Sequence, residues 1–168
     1  MLQKQNDSMT NLDFFKTCLA NEKEATLKML MCLPSERLDY QPHPKNRTAR
    51  EIVSHLLGHM VDMKMILNSS VCNETHNFQF DDSLDAGNKM EILWIELTQL
   101  INKIDIAIWE GEKVGLLIGS KPYLTLPRNS MMWFFFFDII HHRGQLSSYV
   151  RAMGGKNPTV YGFSADTK

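Results

Sequence analysis

The chain has 168 residues, 43% of them hydrophobic, enough to fill the core of a single domain spanning residues 1–168 without disulfides or a structural partner. Lys and Arg number 18 against 19 Asp and Glu, a formal charge of -1, so no overall field draws the protein to nucleic acid or to an anionic bilayer. Met1 to Asn11 is polar, without the apolar stretch of a secretion signal, and the longest apolar run, Met131 to Phe137, is too short to cross a membrane; a cytoplasmic protein is expected.

The first predicted helix follows Asn11, read as its N-cap, and carries Leu12, Phe15, Leu19, Thr26, Met29, Leu30 and Leu33 at helical spacing until Pro34 stops the pattern. Pro34 to Arg47 reads as a long connection. A second helix starts near Thr48, with Ile52, Leu56, His59, Met63 and Ile66 on its inward stripe and His55 one turn before His59, towards the edge of that face. Val71 to Asp85 is polar and irregular. A third helix opens at Ser83 or Asp85 and is predicted to run through Met90, Leu93, Trp94, Leu97, Ile101, Ile104 and Ile108. Between Gly111 and Pro127, β-formers punctuated by glycine predict a short hairpin or an extended crossover. The last helix follows Pro127, with Met131, Phe135, Asp138, His142, Leu146, Tyr149 and Met153 as its stripe, and ends at Gly154 and Gly155. The expected fold is an all-α four-helix bundle with long connections.

Asp138 is the anomaly. It follows Met-Met-Trp-Phe-Phe-Phe-Phe and precedes two isoleucines on a stripe that should face the core, and a buried carboxylate without a partner costs several kcal/mol. His142 lies one helical turn on, about 5.4 Å along the same face. Asp-x3-His on one helix, joined by His55 or His59 from a facing helix, offers a divalent cation two nitrogens and an oxygen with positions left open. A structural network, in which Asp138 is simply hydrogen-bonded by His142 or paired with an arginine, satisfies the same sequence.

Other polar residues near these stripes are candidates for the surroundings of such a site. Glu22 interrupts the first helix's apolar stripe and could act as general base or outer acceptor; the alternative is an ordinary half-exposed glutamate. Gln145 and Tyr149 follow His142 on nearly the same face and could line a pocket. Arg143 is read either as a solvated arginine or as a partner for an acid of helix two such as Glu51. His141 points away from His142, and His43 and His76 fall in loops. Cys18, Cys32 and Cys72 lack CxxC spacing and read as buried or half-buried thiols. No GxSxG elbow, P-loop or GxGxxG after a strand occurs. The run Trp133 to Phe137 reads as core, with part of it available to cover a second subunit.

From Asp138-Ile-Ile-His-His-Arg-Gly-Gln-Leu-Ser-Ser-Tyr-Val-Arg151 through Met153-Gly-Gly-Lys-Asn-Pro158 to Tyr161-Gly-Phe-Ser-Ala-Asp166, the sequence resembles the C-terminal pattern of the DinB-like family. Arg47-Thr-Ala-Arg-Glu-Ile-Val-Ser-His55-Leu resembles that family's second helix. The resemblance implies a four-helix bundle, often a dimer, holding a divalent metal through one histidine of helix two and a pair spaced i, i+4 on the last helix. Carried onto this chain, the ligands are His55, Asp138 and His142, with Asp138 standing where the family usually has histidine. Zinc or nickel is the expected metal, with iron and manganese as alternatives. Relatives that use low-molecular-weight thiols imply thiol-dependent S-transfer or hydrolysis on a small molecule, in a homodimer. The rival expectation is a non-catalytic stress-related binding or dimerisation bundle with a structural Asp/His pair.

Overall fold

A computed structural model describes residues 8–167, so the polar N-terminal stretch lies, as far as Asp7, outside the described residues. Helix α1 (Asn11–Met31) is capped by Thr10, whose hydroxyl accepts the Asp13 N–H at 3.1 Å while the Asp13 carboxylate accepts from the Thr10 N–H. Asn11, expected as the cap, instead accepts the indole N–H groups of Trp109 and Trp133 at 3.0 and 3.3 Å. After Pro34 a 3-10 turn (Ser35–Arg37) leads to helix α2 (Ala49–Asn68), which opens on a second capping box, Thr48 with Glu51. Helix α3 (Ser83–Ile101) is capped by Asp82.

The third helix is shorter than its apolar spacing suggests. It ends at Ile101, and Asp105 caps a separate short helix α4 (Ile106–Gly111) by accepting the Ala107 N–H at 2.8 Å. Ile104 and Ile108 therefore leave the α3 stripe, Ile108 is exposed, and α4 buries Trp109 instead.

Three strands interrupt the helices. Strand β1 (Val71–Asn73), in the stretch read as irregular, pairs parallel to β2 (Lys113–Ile118), which pairs antiparallel to β3 (Lys121–Pro127). The hairpin turns at Gly119 and Ser120, both with positive φ, of 55° and 65°, the geometry that matches strand twist in a two-residue loop. The chain is thus mainly helical with a small sheet rather than all-α.

Helix α5 (Arg128–Val150) starts directly after β3. Its first residue is buried: the Arg128 guanidinium donates to the Ile66 and Ser69 carbonyls and to Glu112, tying the end of α2 to the junction of α4 and β2. At the far end Gly154, at φ 90°, and the Gly155 N–H bonded to the Val150 carbonyl close the helix.

Helix α1 packs on α3, α3 on α2, α2 on α5, and α5 back on α1; β1 lies against α2, and β2 and β3 against α5. The core between them holds Phe15, Leu56, Leu57, Trp94, Trp109, Phe135 and Phe136. The aromatic run of α5 is only partly core, since Phe134 and Phe137 are 43% and 59% exposed. Consecutive helical positions cannot all face inward.

Candidate metal centre

The contact between α2 and α5 sets one face of each helix against the other. On α2 that face carries His55, Gly58, His59 and Asp62, at i, i+3, i+4 and i+7; on α5 it carries Asp138, His142 and Gln145. One oxygen, Asp138 Oδ2, sits at the centre. His59 Nε2 lies 2.7 Å from it, and His55 Nε2 and His142 Nε2 each lie 3.3 Å from it. One ligand atom each of His55, Asp138 and His142 falls within 4.8 Å of the others, and the same holds for His55, His59 and Glu74.

Asp138 is less deeply buried than its place in the sequence suggests, its side chain being 33% exposed. The carboxylate reaches the edge of the α2–α5 contact rather than the core, while the phenylalanines around it divide between core and surface. Burial pushes its carboxyl up, but hydrogen bonds from His142, His55 and His59 outweigh that and hold it far below the usual carboxylate range. For His59, burial opposes the charged form, and the carboxylates of Asp138 and Asp62 overcome it and raise the imidazole's pKa. His55 is lowered, chiefly by burial; the Asp138 contact opposes this, and the charges of His59 and Arg47 add to the lowering.

Two acids not expected from the sequence complete the surroundings. Asp62, fully buried on α2, lies 3.4 Å from His59 Nδ1 through Oδ2 and accepts the Thr75 N–H at 2.8 Å through Oδ1. Glu74 lies 3.9 Å from His55 Nδ1. The segment carrying Glu74 and Thr75 lies flat on α2 because residue 58 is glycine: a Cβ there would stand 2.7 Å from the Thr75 carbonyl oxygen. Asp62 was legible as an acid on an apolar helix three residues after His59. Glu74 had no periodicity to place it.

The remaining candidates divide. Gln145 joins the cluster, its Oε1 2.9 Å from His142 Nδ1. Glu22 does not: it pairs with the Arg143 guanidinium and accepts from the Tyr161 hydroxyl at 2.8 Å. Arg143 is neither solvated nor bound to Glu51. It is 3% exposed, bonded to Glu22, Thr26 and Tyr161, while Glu51 serves its own helix cap. Tyr149 is buried and donates its hydroxyl to the Arg47 carbonyl at 3.2 Å, outside the cluster. His141 is exposed. Burial pushes the Cys72 thiol up to about 12 and the Cys32 thiol up to about 11, so both remain protonated and unreactive.

The donor set suits a divalent cation. With the Gln145 carbonyl facing it, His142 Nδ1 is the donor, and Nε2 then meets Asp138 either as the second N–H of an imidazolium or as a lone pair beside a carboxylate. A lone pair and a carboxylate in contact require a cation between them.

The DinB family model matches residues 1–167. The crystal structure of a DinB-like protein, YjoA, from Bacillus subtilis is similar at a TM-score of 0.68 and 14% identity, covering 90% of this chain and 99% of that one. No curated protein matched the sequence. Fold similarity at that identity and a family match over nearly the full length agree: this chain belongs to the DinB family.

Proposed function

We propose that the protein is a divalent-metal-dependent enzyme whose four long helices form a bundle of the DinB type, with His55, Asp138 and His142 holding the ion. The observation that carries this is the convergence of three imidazole Nε2 atoms on Asp138 Oδ2, at 2.7 to 3.3 Å, at the rim of the α2–α5 contact. Two helix faces contribute i, i+4 pairs, a spacing that brings side chains together on one turn. Gln145 orients His142, Asp62 orients His59, and Glu74 stands behind His55.

A bound zinc, nickel, iron or manganese ion supplies Lewis acidity that lowers the pKa of a water or thiol beside it. The reactions that suit this are thiol-dependent S-transfer and hydrolysis of a small electrophile. The cysteines of the chain are not nucleophiles in this scheme, since burial raises the thiol pKa of each of the three. Metal analysis of protein purified without a nickel column tests the reading. About one equivalent in the wild type and loss in Asp138→Ala/His142→Ala supports it; substoichiometric metal in both sinks it.

A second reading has its own support. The 2.7 Å contact between His59 and Asp138 satisfies the carboxylate without any ion, as in a non-catalytic binding or dimerisation bundle. Thermal melts separate the two, because a ligand that binds only the folded state raises its stability. A melting temperature lowered by chelator supports the metal centre, and one that chelator leaves unchanged supports the polar network.

A further inference from the structure

Beside His55 a cleft of about 300 Å³ opens between the start of α2 and the segment following β1. Arg47, Arg50, His55, Thr75, Phe78 and Phe80 are among the residues that line it. Glu51 also lines the cleft, with its Oε2 held at the helix start by the Thr48 N–H at 2.7 Å and by the Thr48 hydroxyl. The first amides of α2 are spoken for as well: the Ala49 and Arg50 N–H groups donate to the Tyr40 and Leu38 carbonyls. Two guanidiniums face the cleft, Arg50 already beside Asp39 and Arg47 without an acidic partner among the described residues.

Each guanidinium is held differently. Arg50 stacks its CZ 5.1 Å from the Phe80 ring centroid, donates to the Phe80 carbonyl at 3.3 Å and lies 3.5 Å from the exposed Asp39. Arg47 is exposed and forms no ion pair among the described residues, while its backbone carbonyl is anchored by the buried Tyr149 hydroxyl. The opposite wall is shaped by Asn77, a non-glycine residue at φ 58°, a conformation that costs energy and persists where the surroundings enforce it. Thr75 is fixed to Asp62, so this wall and the candidate metal centre are built on the same helix face.

We propose that the cleft binds a small organic carboxylate, with the carboxylate on Arg47 and Arg50, an apolar portion against the half-buried Phe78, and the opposite end directed at His55. Guanidinium and carboxylate match in planar, bidentate geometry. The Phe78 ring favours a flat apolar body. The charge requirement stands on the cleft alone; the statement that the far end is the reacting end rests on the metal reading above.

The test titrates phenylacetate and its uncharged isostere phenylacetamide into metal-free protein, followed by ¹H–¹⁵N spectra that include the arginine Nε–H signals. Phenylacetate is expected to bind about ten-fold more tightly than the amide, the difference one charge-assisted contact makes, and to shift the Arg47 and Arg50 signals. Arg47→Gln, at an exposed position, keeps the melting temperature and removes most of that preference. Equal affinity for acid and amide, no saturable binding of either, or binding of phenylacetate that needs added zinc and ignores Arg47→Gln overturns the proposal. If metal analysis finds substoichiometric metal in both the wild type and Asp138→Ala/His142→Ala while the wild type keeps its preference for phenylacetate, the metal reading falls and the cleft stands.

Discussion

His142 Nδ1 meets Gln145 Oε1 at 2.9 Å along α5, which makes Nδ1 the donor and turns Nε2 towards Asp138. A donor at Nδ1 leaves Nε2 free to act as a ligand in the neutral ring. Replacing Gln145 with Leu removes the acceptor that fixes this tautomer and orientation. Metal affinity is expected to fall about 10- to 100-fold, as for other outer contacts to metal-binding histidines. Competition against a chromophoric chelator measures it, and unchanged affinity would show that Gln145 does not orient the ring.

The acid and imidazoles of the cluster give metal-free protein a stability optimum in pH. Asp138 is depressed in the folded state, so its contribution is present above about pH 3.9 and is lost as the pH falls further. His59 is raised, so its contribution is complete below about pH 6.5 and is lost as the pH rises through the raised value. The difference in melting temperature between wild type and Asp138→Asn is therefore expected to be greatest between about pH 4 and 6.5. A difference that does not vary from pH 3 to pH 9 would contradict the ionised pair.

Gly58 sits in the middle of a helix, where alanine ordinarily stabilises by about 1 kcal/mol. Here a methyl group meets the Thr75 carbonyl oxygen at 2.7 Å, and relieving that overlap displaces the loop or the helix. Gly58→Ala is expected to destabilise by about 1–3 kcal/mol and to accelerate hydrogen exchange at the Thr75 amide. Urea unfolding gives the first quantity and exchange NMR the second; a stabilised variant would mean the loop yields freely.

The half-buried Glu22 and the buried Arg143 form an ion pair outside the cluster. Glu22→Ala leaves the Arg143 guanidinium, 3% exposed, with only neutral partners, and is expected to cost about 3 kcal/mol in chemical denaturation. Its metal content is expected to match the wild type. A fall in metal content without a loss of stability would return Glu22 to the site.

Much of this was legible because it depends on local rules. Thr48 with Glu51 announces a helix start, and Asp138 with His142 places two polar groups on one turn wherever that helix lies. What eluded the sequence was long-range. Asn11 looked like a cap, but two indoles from distant segments claim its side chain. Arg143 read as a solvated arginine or a partner for Glu51, because its actual partners lie on α1 and in the C-terminal segment. Strand β1 is three residues long, too short for alternation to show, and exists by pairing with β2. Glu74 reaches His55 only because that strand carries the chain back along α2.

The glycine at position 58 has a reach beyond its own contact. By letting a loop rest on α2, it separates two kinds of variability: the α2–α5 pairs lie on rigid helix faces, whereas residues 76–79 belong to a docked segment whose anchors, Asp62 and Thr75, lie elsewhere. On the cleft reading proposed above, exchange of those four residues would retune recognition while leaving the helix faces intact, which makes the short stretch after β1 the natural cassette for redesign on this scaffold.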